Sequence, residues 1–275
     1  MMLAIRNLSI AFPGSGGPVR VVDDVSVEVG RGESLGIVGE SGSGKSMLSL
    51  ATIGLLPKSA RTSGEILLEG KNILTMSERA LCAVRGRRIG MIFQEPMTAL
   101  NPAMSAGQQI AEGIRLHRRI GRAEARAEAL RLLDRVRIPD PARRIDSYPH
   151  EMSGGQRQRV GIAIALALKP DLLIADEPTT ALDVTVQKEI LDILDELVAD
   201  LGLSLILISH DLGVIARSTD RTLVMCRGRA VEEGPTETVL RHPTAPYTRD
   251  LIAALPRRAR AGLAEEPHAA AGGAR

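Results

Sequence analysis

The chain has 275 residues, with 35 Lys+Arg against 33 Asp+Glu for a formal net charge of +2, and 44% of it is apolar. A soluble chain of this length buries roughly 70–75% of its unfolded surface and forms one large domain or two small ones. Aromatics make up 1% (Phe12, Phe93, Tyr148 and Tyr247), which argues against a stacking platform for single-stranded nucleic acid, and the near-neutral balance leaves no polyanion footprint. Two cysteines, Cys82 and Cys226, cannot supply a four-thiolate metal site and fit a reducing compartment. Residues 1–11 lack the basic segment and apolar core of a signal peptide. The longest apolar stretch, Val160 to Leu168, falls well short of the roughly 20 residues that cross a bilayer, so any membrane role is predicted to be peripheral and through a partner.

The chain opens with strand patterns. Leu3 to Ile10 and the alternating Val25-Ser26-Val27-Glu28-Val29 flank a turn at Pro13 to Pro18, as in a half-buried sheet. Ser34 to Val38 is a short apolar run ending on glycines, suited to a buried central strand. Gly64 to Gly70 and Arg88 to Phe93 read as two more strands, with Phe93 expected in the core. From about Met104 to Val136 the composition turns to Ala, Arg, Glu and Leu, with Leu130, Leu133 and Val136 at helical spacing, which predicts a helical insert. Its arginines alternate with Glu124, Glu128 and Asp134, the pattern of a solvated helix surface. Leu172 to Ala175 and Leu205 to Ile208 read as buried parallel strands, separated by a helix whose face is Ile190, Ile193, Leu194 and Leu197 and which Gly202 can close. The tail after Leu255 is rich in Ala, Arg, Gly and Pro and is predicted to be disordered.

Three motifs carry chemistry. Gly39-Glu40-Ser41-Gly42-Ser43-Gly44-Lys45-Ser46 follows the strand ending at Val38 and opens an apolar helix. Glycines let successive N–H groups turn toward one point, where the helix N-terminus adds partial positive charge. Lys45 is placed to neutralise phosphate oxygens and the Ser46 hydroxyl to ligate Mg²⁺. Leu172 to Glu177 is an apolar strand ending in two carboxylates: Asp176 can hold Mg²⁺ through water, and Glu177 can polarise an attacking water as general base. Ser153-Gly154-Gly155-Gln156 at the start of another apolar helical run forms a second anion site by the same backbone logic.

With these motifs the chain resembles the nucleotide-binding subunit of ATP-binding cassette transporters over about residues 3–255. The resemblance implies an α/β fold: a P-loop NTPase (RecA-like) core with a parallel sheet, an N-terminal antiparallel β subdomain and an α-helical subdomain inserted at about 95–165, all in one ATPase domain, with 256–275 as the tail. In that family Gly39 to Ser46 would be the Walker A loop, Ser153 to Gln156 the signature, Asp176 the Walker B aspartate and Glu177 the catalytic glutamate. Gln94 would meet Mg²⁺ and the attacking water, Ala181-Leu182-Asp183 would be the D-loop, His210 the switch histidine on the γ-phosphate, and Phe12 the aromatic stacked on adenine. The expected cofactors are therefore ATP and Mg²⁺.

The resemblance narrows further at Phe93 to Pro102, Tyr148 to Met152, Asp176 to Gln187 and Pro243 to Arg249, which are similar to the peptide/nickel uptake group. Two departures stand out: Ala245 occupies a position where that group usually has His, and the cysteine cluster common in its C-terminal extension is absent. The implied protein is an ATP-hydrolysing subunit at the cytoplasmic face of the cell (inner) membrane. It would power uptake of peptides or a related small solute with two transmembrane permease subunits, a second ATP-binding subunit closing head to tail as homo- or heterodimer, and a separate solute-binding protein. The alternative is a cassette ATPase that acts on nucleic acid or ribosomes. Such proteins insert long coiled coils or join two cassettes, for which 275 residues leave no room, so no nucleic-acid partner is expected.

Overall fold

The computed structural model describes residues 1–94, 99–180 and 182–255. The described residues fold into two compact units, one built from Leu3–Leu74 with residues 206–255, the other from the described part of Thr75–Leu205.

In the first unit, strands β1 (Leu3–Phe12), β2 (Val19–Val29), β4 (Arg61–Leu68) and β5 (Lys71–Asn72) make an antiparallel sheet in the order β2-β1-β4-β5. Leu3 pairs with Val29 on one side and Leu68 on the other. Strict alternation fails in β1, because Ile5 and Leu8 are both buried although three residues apart. A bulge resolves this: the register shifts between Ile5 and Leu8, and Asn7 takes φ 46°, a left-handed geometry that Asn tolerates. Ser26 Oγ accepts the Asn7 N–H at 2.8 Å and Asp24 accepts from its side chain at 3.0 Å.

The same unit carries β3 (Ser34–Val38), parallel to β9 (Arg221–Cys226), which pairs antiparallel with β10 (Arg229–Pro235). Four of the five residues of β3 are buried, as its uninterrupted apolar run predicts. Helix α1 (Lys45–Thr52) follows β3 directly. The division between the units falls within β8 (Ser204–Ile208), every residue of which is buried.

The second unit holds α2 (Glu78–Val84) and the parallel pair β6 (Ile89–Ile92) and β7 (Leu172–Asp176). Its predicted helical insert contains α3 (Ala106–Arg118), α4 (Arg122–Arg135), the single turn α5 (Pro141–Arg144) and α6 (Gly154–Leu166). A capping box between Ser105 and Gln108 starts α3. Ala125, Ala129 and Leu133 form the buried stripe of α4, opposite a face of arginines and glutamates; burying a Leu such as Leu133 contributes about 1.5–3 kcal/mol. Arg126 makes a bidentate pair with Asp146 at 2.7 and 2.8 Å, and that guanidinium holds the Asp146 carboxyl below its ordinary pKa. Helix α7 (Val184–Leu201) buries Ile190, Ile193, Leu194 and Leu197 and ends at Gly202 with φ 61°, as predicted. Helices α8 (Leu212–Ser218), α9 (Thr236–Arg241) and α10 (Pro246–Ala253) belong to the first unit.

Phe93 departs from expectation. It is 42% exposed, because β6 ends at Ile92 and the chain leaves the sheet before the next inward position. The predicted disorder of 256–275 lies outside the described residues, as do positions 95–98 and 181. Among the described residues no helix is long and apolar enough to cross a membrane.

Candidate nucleotide-binding site

The glycine-rich loop occupies the turn from β3 into α1. Gly39 leaves the strand with φ +151°, and a Cβ there would lie 2.1 Å from the Met225 carbonyl oxygen on β9. Gly44, with φ +101°, starts α1 where a Cβ would lie 2.5 Å from the Val21 oxygen. At both positions the backbone approaches more closely than any side chain permits. The last loop carbonyl is fixed from outside: the Gly228 N–H donates to Ser43 O at 3.0 Å.

Gly44 caps α1 without a side chain, and no acidic residue stands in its first turn. The helix therefore presents backbone donors and the positive end of its dipole to the loop. Lys45 is 5% exposed, and its Nζ donates to Gly39 O at 2.7 Å, Glu40 O at 2.9 Å and Ser43 Oγ at 3.4 Å. An ammonium held by loop carbonyls at the start of a helix is a fit for phosphate oxygens. Ser46, next on the helix, is half-buried, and Glu40, Ser41 and Gly42 are exposed.

Two further predicted residues belong to this unit. Phe12 is half-buried at the end of β1, paired with Val19. His210 is exposed just past β8, between Ser209, whose N–H donates to Ile37 O at 3.2 Å, and Asp211, which caps α8. The strand ends at Ile208, the last residue of the predicted apolar run.

In the second unit β7 delivers its carboxylates at the strand end. Asp176 is 4% exposed and Glu177 turns out of the strand with φ 47°. Gln94 Nε2 donates to Glu177 Oε2 at 3.2 Å, so two residues predicted to work together meet. The Thr180 hydroxyl donates to the same oxygen at 2.8 Å. Sequence reasoning missed Thr180; its signal was a hydroxyl one turn beyond a strand-terminal acid.

Ser153 caps α6 in a reciprocal box: its Oγ accepts from Gln156 N at 3.3 Å, and Gln156 Oε1 accepts from Ser153 N at 3.1 Å. With Oγ accepting one bond, the hydroxyl proton remains available to donate. Gly154 and Gly155 lie against the start of α7, where Cβ atoms would meet Leu182 at 3.4 Å and Val186 at 2.7 Å. Asp183 caps α7 by accepting from Val186 N at 3.0 Å. Tyr247 in α10, within the Pro243 to Arg249 motif, accepts the Glu40 N–H through its hydroxyl at 3.1 Å.

The ABC transporter family profile matches residues 22–180. The chain belongs to the ABC transporter family. A Brucella abortus protein named as a peptide import ATP-binding protein is 50% identical over 256 residues, 93% of this chain and 77% of that protein. The oligopeptide transport ATP-binding protein OppD of Bacillus subtilis is 48% identical over 257 residues, 93% of this chain and 72% of that protein. Among solved structures, an ATP-binding cassette captured as a dimer in a post-hydrolysis state with ADP and Pi superimposes with TM-score 0.77. It is 27% identical, covering 86% of this chain and 99% of the other. A component of an ABC transporter complex from Clostridium perfringens gives TM-score 0.74 at 30% identity, covering 94% and 98%. The cassette fold expected from the motifs is thus the observed one: a P-loop NTPase core sheet, an antiparallel N-terminal sheet and inserted helices. This cassette is an ATPase of a transport system.

Proposed function

We propose that this cassette is the ATP-hydrolysing subunit of an importer for peptides or a related small solute, with residues 3–255 acting as one ATPase domain. The Lys45 cradle carries the ATP-binding part of the reading, and the names of the similar proteins carry the solute class. None of those names points to nucleic acid.

The loop from Gly39 to Ser46 binds the ATP phosphates through backbone N–H groups, with Lys45 turning from its own carbonyls to the anionic oxygens. Phe12 supplies a face for adenine. By the family resemblance, Ser46, Gln94 and Asp176 would be the oxygen donors for Mg²⁺, hard ligands of the kind that ion takes, and the ion would supply charge that offsets the phosphates. Glu177 takes a proton from the attacking water, and Gln94 and Thr180 hold its carboxylate in one orientation by donating to Oε2. His210 stabilises the departing phosphate. The signature from Ser153 to Gln156, with Asp183, faces the nucleotide of a second ATP-binding subunit, homologous or identical, closing head to tail. Two transmembrane permeases and a separate solute-binding protein complete the complex, and the cassette sits at the cytoplasmic face of the cell membrane.

The test is reconstitution with the permeases in vesicles: ATP hydrolysis that rises with a peptide-loaded binding protein supports the reading. Hydrolysis indifferent to every solute, or a cassette that co-purifies with nucleic acid instead of membrane subunits, overturns it.

A further inference from the structure

We propose that Tyr247 is a positioning residue for the phosphate loop, its hydroxyl tethering the Glu40 amide so that the cradle is preformed before nucleotide arrives. The proposal deepens the ATP-binding reading and rests on it.

The tether is built from the far end of the chain. Glu232 on β10 clamps the entry to α10: its carboxylate accepts from Thr244 N at 2.7 Å, Thr244 Oγ1 at 2.9 Å and Ala245 N at 3.1 Å. Burial pushes the Glu232 pKa up, but the Thr244 and Ala245 donors pull it below its ordinary value, so the clamp is charged at neutral pH. Pro246 then starts the helix with φ already set, and Tyr247 follows half-buried, with Thr248 beyond it at 1% exposure. The Tyr247 hydroxyl reaches Glu40 N at 3.1 Å. Burial raises the pKa of this hydroxyl, so it is protonated at neutral pH.

The bond falls at a consequential place. Glu40 is exposed, and its carbonyl accepts from both Lys45 Nζ and Ser43 N. The Glu40 N–H shares its peptide plane with the Gly39 carbonyl, which accepts from Lys45 Nζ at 2.7 Å, so fixing the N–H orients that carbonyl before Lys45. Gly39, just upstream, is pinned against β9 by close backbone approach, and Ser43 by Gly228. The Tyr247 hydroxyl supplies the constraint between those two anchors, on the stretch most exposed to solvent. A loop left to order itself on binding spends part of its binding energy doing so.

Tyr247→Phe removes the hydroxyl and nothing else. In the full-length chain the peptide containing Glu40 is expected to exchange its amide hydrogens about tenfold faster, while β3 is unchanged. MgATP affinity falls about threefold to tenfold, the range for one neutral hydrogen bond, and in the active complex KM for ATP rises by that factor with kcat within twofold. Unchanged exchange at Glu40 or unchanged affinity overturns the tether. Should the variant melt at lower temperature, the exchange comparison at a temperature where both proteins are folded decides. Lys45→Met runs alongside: loss of MgATP binding there with a silent Tyr247→Phe refutes the tether and leaves the loop as the nucleotide site. Retained binding in Lys45→Met removes both.

Discussion

Gly39→Ala isolates the requirement that shapes the phosphate loop. Two separable costs arise at this position. The backbone φ of +151° is one that an L side chain rarely adopts, costing about 1–3 kcal/mol. The new Cβ would also lie 2.1 Å from Met225 O and 2.8 Å from Ser43 Oγ, where an ordinary carbon–oxygen contact is about 3.3 Å or longer. The first of these partners is backbone in the strand paired with β3, so relief requires moving one strand from the other, an overpacking cost of about 1–3 kcal/mol. Together they amount to about 2–6 kcal/mol, or a fall in Tm on the order of 5–20 °C for a chain of this size. Two substitutions calibrate the result. Gly42→Ala, with φ +79° and open space around the Cβ, carries the conformational cost alone, about 1–2 kcal/mol. Gly16→Ala, with open space and no positive φ, is neutral or slightly stabilising. Thermal unfolding of the three proteins should give the order Gly16, Gly42, Gly39. A Gly39→Ala protein melting within 2 °C of wild type (~1 kcal/mol by the same conversion) would refute the steric reading of this loop.

Glu177→Gln keeps an oxygen for the Gln94 and Thr180 donors, so ATP binding should persist while hydrolysis slows by ~10²–10⁴; near-normal turnover in the assembled complex would reject the general-base role. The same variant should accumulate an ATP-dependent dimer by sedimentation if two copies pair, and only with its partner subunit if they do not. Lys45→Met should weaken MgATP binding about tenfold or more in calorimetry, as expected for charged hydrogen bonds. The Glu232 pKa is depressed on folding, so its stabilisation is present above the ordinary carboxylate value of 4.5 and is lost as pH falls through the lower folded value. Glu232→Gln should therefore flatten the decline in Tm on acidification between pH 5 and pH 3, roughly the window such a carboxylate spans.

Local pattern carried most of the fold. The apolar runs of β3, β7 and β8 were legible because a strand buried on both faces needs no polar alternation, and α7 because its stripe and closing glycine coincide. Phe93 misled because apolar character says nothing of where a strand stops. At the site, the loop, the paired acids and the signature were legible since each is contiguous and its spacing is its mechanism. Thr180 and Tyr247 were not. The first acts through a turn whose geometry depends on Glu177 adopting φ 47°, and the second reaches Glu40 across 207 positions, a pairing that only the topology of the sheet and the Glu232 clamp creates.

Gly155 shows how a residue that looks like a phosphate donor also has a packing duty. Near the start of a helix, Gly→Ala ordinarily stabilises by about 0.5–1 kcal/mol. Here the Cβ would lie 2.7 Å from Val186 Cγ1, a branched side chain whose χ1 is restricted on a helix. The amide of the same Val186 is held by Asp183 at 3.0 Å, so α7 cannot yield there without loosening its cap. Contact between α6 and α7 through glycine therefore joins the signature to the Asp183 turn as one packed piece. Gly155→Ala should reverse the usual sign and destabilise by about 1–3 kcal/mol. Val186→Ala removes the opposing methyl groups, and in the double variant the Gly155→Ala cost should fall by at least 1 kcal/mol, a coupling typical of residues in contact. Additive effects in urea unfolding would mean that Gly155 is required for the donor geometry of the signature alone.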